Sequence, residues 1–398
     1  MKFKLILTGC ILVFSLLTSI ISVAQCGFTG LNPNYCTTDS PVTLSENESG
    51  GTFSGSGITG NTFDPAAAGP GTHTISYTNP DFYTIDQTGT YSFVGGGGWT
   101  RFNSGGSDLE GFDDLVSAAT PIGFTFNFFG NNYTNFYASS NGNIGFTSYS
   151  EFGGFTSRSI TDTGDPDNFI ALARADLDPS NSGGGYRIQY KVTGVAPNRI
   201  LIVSYENIAR YNGGSGGDPI TTQVKLFETT NVIEIHSTTI SSVAYDQTLQ
   251  GIENATGTIG FVPAGRNNTF NWGVTNDFVS FTPCTDSQMV TVTEAAVVAA
   301  GGDTEICEGV SYNIKVPSSI SGGASDGTWS AITGGSDGTF DGGTTWSTST
   351  TFTPGATDIA NGSVTLRLTS DVPGGACGAV SDDVVVTITA APLVDASG

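Results

Sequence analysis

After residue 24, apolar and polar residues alternate along short stretches almost everywhere in the chain. His73-Thr74-Ile75-Ser76-Tyr77-Thr78 and Val364-Thr365-Leu366-Arg367-Leu368-Thr369 each place every second side chain on one face. The same period runs through Ile122-Gly123-Phe124-Thr125-Phe126-Asn127-Phe128 and through residues 186–192, 199–206, 222–227, 232–236, 251–254 and 279–282. A period of two predicts strands with one buried face. Asn141-Gly142 stands between Phe136-Tyr137-Ala138-Ser139-Ser140 and Asn143-Ile144-Gly145-Phe146, which predicts a hairpin, because both turn residues accept positive φ. Helical 3.6-residue spacing is nearly absent. About ten strands between residues 83 and 283 predict two antiparallel sheets packed face to face.

The N-terminus departs from this pattern. Lys2 and Lys4 precede an apolar run from Leu5 to Val23, and Ser22-Val23-Ala24 supplies small residues for cleavage. Residues 1–24 therefore read as a secretory signal peptide. Leu7-Thr8-Gly9-Cys10 matches a lipoprotein cleavage motif but sits too early in the apolar run to be one.

The chain also repeats itself. Gly51-Thr52-Phe53 matches Gly338-Thr339-Phe340, and Thr62-Phe63-Asp64-Pro65 matches Thr351-Phe352-Thr353-Pro354. The alternating stretches at 73–78 and 364–369 match in turn. In the later copy Cys377 and the strand Val384-Val385-Val386-Thr387-Ile388 follow closely; in the earlier copy Cys284 and Met289-Val290-Thr291-Val292-Thr293 follow only after some 200 residues. The expected organisation is a first repeat split between 25–82 and 284–294, a larger module at 83–283, a second repeat at 295–390 and the start of a third at 391–398. Chain ends lying together at a loop tip make such an insertion tolerable. In this register Cys36 is expected to pair with Cys284 and Cys307 with Cys377, leaving Cys26 odd or competing with Cys36; the alternative is a local 26–36 loop with Cys284 free.

Tyr35-Cys36-Thr37-Thr38-Asp39-Ser40-Pro41-Val42-Thr43-Leu44, the Gly50–Gly57 segment (GGTFSGSG) and Gly71-Thr72-His73-Thr74-Ile75-Ser76-Tyr77 resemble the immunoglobulin/PKD-like repeats of secreted Bacteroidetes surface proteins. That resemblance implies a spacer or adhesive role and type IX secretion. The module resembles a nidogen-like, lectin-like β-sandwich. Residues 122–133, Ala138-Ser139-Ser140-Asn141-Gly142, Ala175-Asp176-Leu177-Asp178-Pro179 and Leu249-Gln250-Gly251-Ile252-Glu253-Asn254 carry this likeness. Where such modules have an aromatic before the Asp-Leu-Asp segment, this chain has Arg174-Ala175. The fold class expected is all-β: immunoglobulin-like sandwich repeats plus a larger antiparallel sandwich of jelly-roll or lectin-like type. The function implied is non-enzymatic extracellular adhesion or structure, with an extracellular glycan or protein as partner. The alternative is a carbohydrate-binding accessory region of a larger secreted enzyme.

Charge narrows the chemistry. The chain carries 13 Lys and Arg against 36 Asp and Glu; without Lys2 and Lys4 the 11 remaining cations leave a net charge of −25. Such a surface repels phosphate backbones, so nucleic acid is excluded as a partner. No stretch after residue 24 is long and apolar enough to span a bilayer. Only His73 and His236 could act as imidazole bases, each on a strand, and Gly95-Gly96-Gly97-Gly98 reads as a plain loop. Glu110, Asp113 and Asp114 form one carboxylate group, which glycoside hydrolysis would need in a converging pair; no catalytic residue is assigned. Candidate calcium ligands are Asp162, Asp165 and Asp167 in one loop and Asp176, Asp178 and Asn181 in the next, since hard cations favour several loop oxygens. Calcium is the one cofactor considered. Trp99, Tyr149, Tyr211 and Trp272 lie beside Gly-, Ser- and Asn-rich loops and are candidate ligand contacts.

Overall fold

The structure, a computed structural model, describes residues 26–103, 108–150, 155–164, 166–211 and 217–390. The expected signal peptide, Cys10, Asp165 and residues 391–398 lie outside the described residues. The fold is all-β, as the alternation predicts.

The N-terminal unit contains β1 (Asn34–Cys36), β2 (Thr52–Ser54) and the first half of the long β3 (Gly71–Asp86). The central sandwich contributes β4 (Thr100–Arg101), β5 (Thr120–Phe128), β6 (Asn131–Ala138), β7 (Asn143–Gly145), β8 (Phe169–Arg174), β9 (Arg187–Thr193) and β10 (Ile200–Ile208). It continues with β11 (Ile220–Phe227), β12 (Ile233–Ile240), β13 (Leu249–Glu253) and β14 (Gly260–Phe261). β15 (Val274–Thr293) leaves the sandwich and ends in the N-terminal unit. The C-terminal unit has β16 (Thr304–Cys307), β17 (Gly327–Ala331), β18 (Ser363–Ser370) and β19 (Ser381–Thr389).

One sheet of the sandwich runs β5-β6-β7-β8-β13-β14. The other runs β2-β3-β15-β12-β11-β10-β9-β4, with β1 added in parallel to β15. Phe126, Phe128, Phe136, Val203, Tyr205, Val224, Ile235 and Phe281 fill the space between the sheets at 0% exposure. β5 shows why: its burial alternates almost residue by residue. β8 (FIALAR) is buried at every position, so it has no period of two, and the alternation argument passes over it. The hairpin at Asn141-Gly142 forms, but its loop takes in Ser139 and Ser140 as well. Gly142 alone is left-handed there, at φ 79°, and a Cβ on it would lie 2.6 Å from the Ala173 carbonyl.

The larger sheet passes through two cores. β3 and β15 pair antiparallel from Gly71↔Val292 to Asp86↔Ser280, with a break in register between Pro283↔Tyr83 and Cys284↔Asn79. On one side of that bulge, Ile75, Tyr77, Cys284, Val290 and Val292 pack with Phe28, Tyr35, Leu44 and Phe63. On the other, Tyr83 and Phe281 join the sandwich core. A bulge locally bends and twists a strand pair, and this one sits where the chain changes core.

The two end units share a strand plan. β1 runs parallel to β15, with Cys36 opposite Thr293, as β16 runs parallel to β19, with Cys307 opposite Thr389. β2 pairs with β3, with Phe53 opposite Tyr77; β17 pairs with β18, with Trp329 opposite Leu368. That register corrects one sequence match. Gly51-Thr52-Phe53-Ser54 occupies the place of Gly327-Thr328-Trp329-Ser330, whereas Gly338-Thr339-Phe340 enters a small sheet with Thr351–Thr353. The identical Gly-Thr-Phe letters misled because any short strand offers them. In the C-terminal unit the nine residues 371–379 join Ser370 to Val380; at the equivalent point of the N-terminal unit, residues 80–283 join Asn79 to Cys284.

The expected disulfides are also corrected. Cys26 bonds Cys284, Cys36 bonds Cys377, and Cys307 is free. Cys36 does lie beside the last strand of its unit, but opposite Thr293, nine residues beyond Cys284. At about 3.3 Å per residue that is roughly 30 Å, far beyond bonding reach. Cys307 beside Thr389 is removed from Cys377 in the same way.

Candidate functional site

The loops at one end of the sandwich gather acids. Asp113 and Asp114 precede β5, and Asp176 follows β8; one carboxylate oxygen from each lies within 4.8 Å of the others. Asn141 positions two of these segments. Its amide donates to Asp114 Oδ1 at 2.9 Å, and its Oδ1 accepts from the Leu177 N–H at 2.8 Å. Asn141 itself is fully buried, so the Asn-Gly turn that made a hairpin also ties two acidic loops together. Leu115 N–H donates to Ser140 Oγ at 2.9 Å, fixing the 113–115 segment from the same hairpin. On the other side the Tyr211 N–H donates to the Asp176 carbonyl at 2.9 Å and the Asp178 N–H to the Ala209 carbonyl at 2.9 Å.

The electrostatics follow from the gathering. Burial first, and then the negative Asp178, Asp114 and Asp176, together push the Asp113 carboxyl up to about 7. Its buried Oδ1 has no hydrogen-bond partner. Carboxylates held together against their repulsion have the hard oxygen donors that calcium takes, and a divalent cation would reverse the rise. Asp113, Asp114 and Asp176 are the residues that could hold one.

This arrangement divides the residues expected from sequence. Asp176 is in the gathering, but its partners are two acids first read as a hydrolase group. Asp178 lies close enough to act on Asp113 while its Oδ1 accepts from Ser180 Oγ (2.6 Å) and the Asn181 N–H (3.1 Å), capping a 3-10 turn. Asn181 takes part through its backbone. Asp162 pairs with Arg158 at 3.3 Å, and Asp162 and Asp167 act instead on Glu253, whose buried carboxyl is pushed up to about 7 chiefly by burial. Among the described residues, Asp162 and Asp167 form no group of three carboxylates with Asp176 or Asp178; Asp165 lies outside the described residues. The third member of the hydrolase group, Glu110, is drawn away. It bonds Arg101 and accepts from the Ile188 N–H at 2.9 Å, anchoring the edge of β9.

The aromatic candidates separate likewise. The Lys191 ammonium sits 4.1 Å over the Trp99 ring, and that same Lys reaches the Gly95 carbonyl at 3.1 Å. Tyr149 bonds Asn143, and Trp272 donates to the Thr248 carbonyl at 2.7 Å beneath the Arg266 guanidinium. Tyr211 is 51% exposed and is tied through its backbone to Asp176. Phe112, adjoining Asp113, is 56% exposed; sequence reading missed it, although a Phe between Gly111 and two acids is a poor core position. Arg174, in the place of an expected aromatic, is buried, donates to the Thr156 carbonyl and covers the Phe155 ring.

Both histidines are held in place. His73 Nε2 meets the Gly69 carbonyl at 2.8 Å. His236 accepts from the Ser92 N–H on Nδ1 and faces Glu234 with Nε2 at 2.9 Å. With Gln223, which bonds both polar groups of the Val94 backbone, and Lys225, which donates to the Ser92 carbonyl, it straps residues 91–94 onto the outer face of β11 and β12. Clefts of about 720 and 680 Å³ lie elsewhere, in the N-terminal unit and at its junction with the sandwich; none of these carboxylates lines them.

Among the described residues, no helix is long and apolar enough to cross a membrane. No curated protein matches the chain. Residues 82–294, more than half of the chain, match the family model described as NIDO related, a span that coincides with the sandwich and with β15 to its end.

Proposed function

Because the chain belongs to the NIDO-related family, we propose that it is a non-enzymatic bacterial surface protein that holds this sandwich on immunoglobulin-like units for adhesive contact outside the cell. Two disulfides accord with an extracellular protein. The observation that carries the reading is the β3–β15 ladder, which enters and leaves the sandwich side by side and, across its bulge, runs through both cores. A module joined by one tether swivels; one joined by two hydrogen-bonded strands is presented in a fixed attitude. The face presented is the end bearing Asp113, Asp114 and Asp176, with Phe112 exposed beside Asp113 and Tyr211 exposed on the adjoining loop after β10. Calcium ordering these carboxylates would set the aromatics for contact with a glycan or protein.

The exposed Phe112 and Tyr211 also favour the second reading, a carbohydrate-binding part of a larger secreted enzyme, since aromatic faces stack on sugar rings. A glycan array and a panel of immobilised matrix proteins, each probed in calcium and in chelator, separate the two. Retention by protein that Asp113→Asn with Asp176→Asn abolishes supports adhesion. Retention by polysaccharide alone supports the second reading. Binding to neither surface overturns both.

A further inference from the structure

Cys307 and Cys36 occupy the same position in two units, yet only one of them is bonded. Cys36 lies opposite Thr293 at the end of β1, and Cys307 opposite Thr389 at the end of β16. The next residue closes the parallel pair identically: Thr37 N–H to the Thr293 carbonyl at 2.9 Å, and Glu308 N–H to the Thr389 carbonyl at 2.8 Å. The turn after it repeats too, with Asp39 N–H to the Cys36 carbonyl at 3.0 Å and Val310 N–H to the Cys307 carbonyl at 3.1 Å.

At the first of these positions a partner is seated. The 371–379 loop of the C-terminal unit reaches the far end of the N-terminal unit, where Cys377 bonds Cys36 and both become 4% exposed. Its Sγ lies 3.3 Å from the Thr293 carbonyl, and Gly375 packs so closely on Thr293 that a Cβ would lie 2.2 Å from Oγ1. At the second position the receiving threonine recurs as Thr389, and the thiol of Cys307 is free and exposed.

We infer that Cys307 is a coupling site for a further unit of the same kind, stacked end to end and bonded through a cysteine in its β18–β19-type loop. The repeated geometry of the Cys36–Cys377 junction carries this. Bond formation is a two-electron oxidation. Two thiols lose two protons and two electrons to a disulfide oxidant such as oxidised glutathione, which leaves as two reduced molecules.

The test extends the chain with a second copy of residues 295–390 placed directly after Ala390, refolded in a glutathione redox buffer. Peptide mapping without reduction is expected to show Cys307 joined to the added copy of Cys377, and the Cys307 peptide to vanish from the alkylated fraction. Cys307 still alkylated beside a free added cysteine overturns the inference, as does a Cys307–Cys307 dimer. A second measurement uses the unextended chain, which needs no new unit to fold. Native Cys307 must react with an aromatic disulfide reagent while Cys36 and Cys377 stay silent until reduced; an inert Cys307 also sinks the idea.

Discussion

The N- and C-terminal units are built on one strand plan and diverge at one connection. Between Ser370 and Val380 the C-terminal unit spends nine residues; between Asn79 and Cys284 the N-terminal unit accommodates a whole sandwich. Their cores answer differently as well. Phe53, opposite Tyr77, is half-buried, whereas Trp329, opposite Leu368 at the equivalent place, is 1% exposed and is the largest fully buried side chain. The smaller unit closes on its own tryptophan; the split unit shares a sheet with its guest. A sheet end is thus a place where a fold can be enlarged without being redrawn.

The largest effect that would test this contrast is Trp329→Ala. It should cost about 3–5 kcal/mol, melting the C-terminal unit in a separate, earlier calorimetric transition while the sandwich transition stays put. Phe53→Ala, at the half-buried counterpart, should cost markedly less. Equal losses at the two positions would break the comparison.

Next come the disulfides. Replacing Cys26 and Cys284 by serine should cost roughly 2–5 kcal/mol in the N-terminal unit, read from denaturant melts. Replacing Cys36 and Cys377 should leave each unit's melting nearly unchanged and broaden the distribution of their relative orientation in small-angle scattering. If the second pair destabilised the units more than the first, their assignment to closure and coupling would be reversed.

A smaller effect belongs to the sandwich alone. Glu253 titrates near 7 when folded, well above its ordinary unfolded value. Its contribution is therefore fully present at acid pH, below the unfolded value, and is lost as pH rises through about 7. Glu253→Gln should remove that dependence and raise Tm at pH 8 by a few degrees, on the order of 1–2 kcal/mol. A variant whose melting still falls between pH 5 and 7 as steeply as the parent would locate the proton elsewhere.

The all-β class, the hairpin and the alternating strands were legible in the sequence because their signals are local: period two, turn chemistry and residue propensity. β8 was not, since a strand buried on both faces loses its period. The cysteine pairing failed for a longer-range reason. Repeat matching showed which strand Cys36 would meet, but a parallel partner brings it to the far end of that strand, and letters alone do not give direction. The acidic site was half legible. Asp113, Asp114 and Asp176 each drew notice, but only the buried Asn141, donating to one loop and accepting from another, joins them.

The Cys26–Cys284 bond also sets how the molecule carries load. Tension applied along the chain from residue 26 towards residue 390 crosses from Cys26 to Cys284 and, through residues 27–36, from Cys36 to Cys377, so residues 37–283 are covalently bypassed. The whole sandwich hangs outside the path of force. A pull on the chain leaves its fold and its exposed loops undistorted, whereas a pull exerted by something gripping those loops is shared between two strands, β3 and β15, loaded together at the bulge.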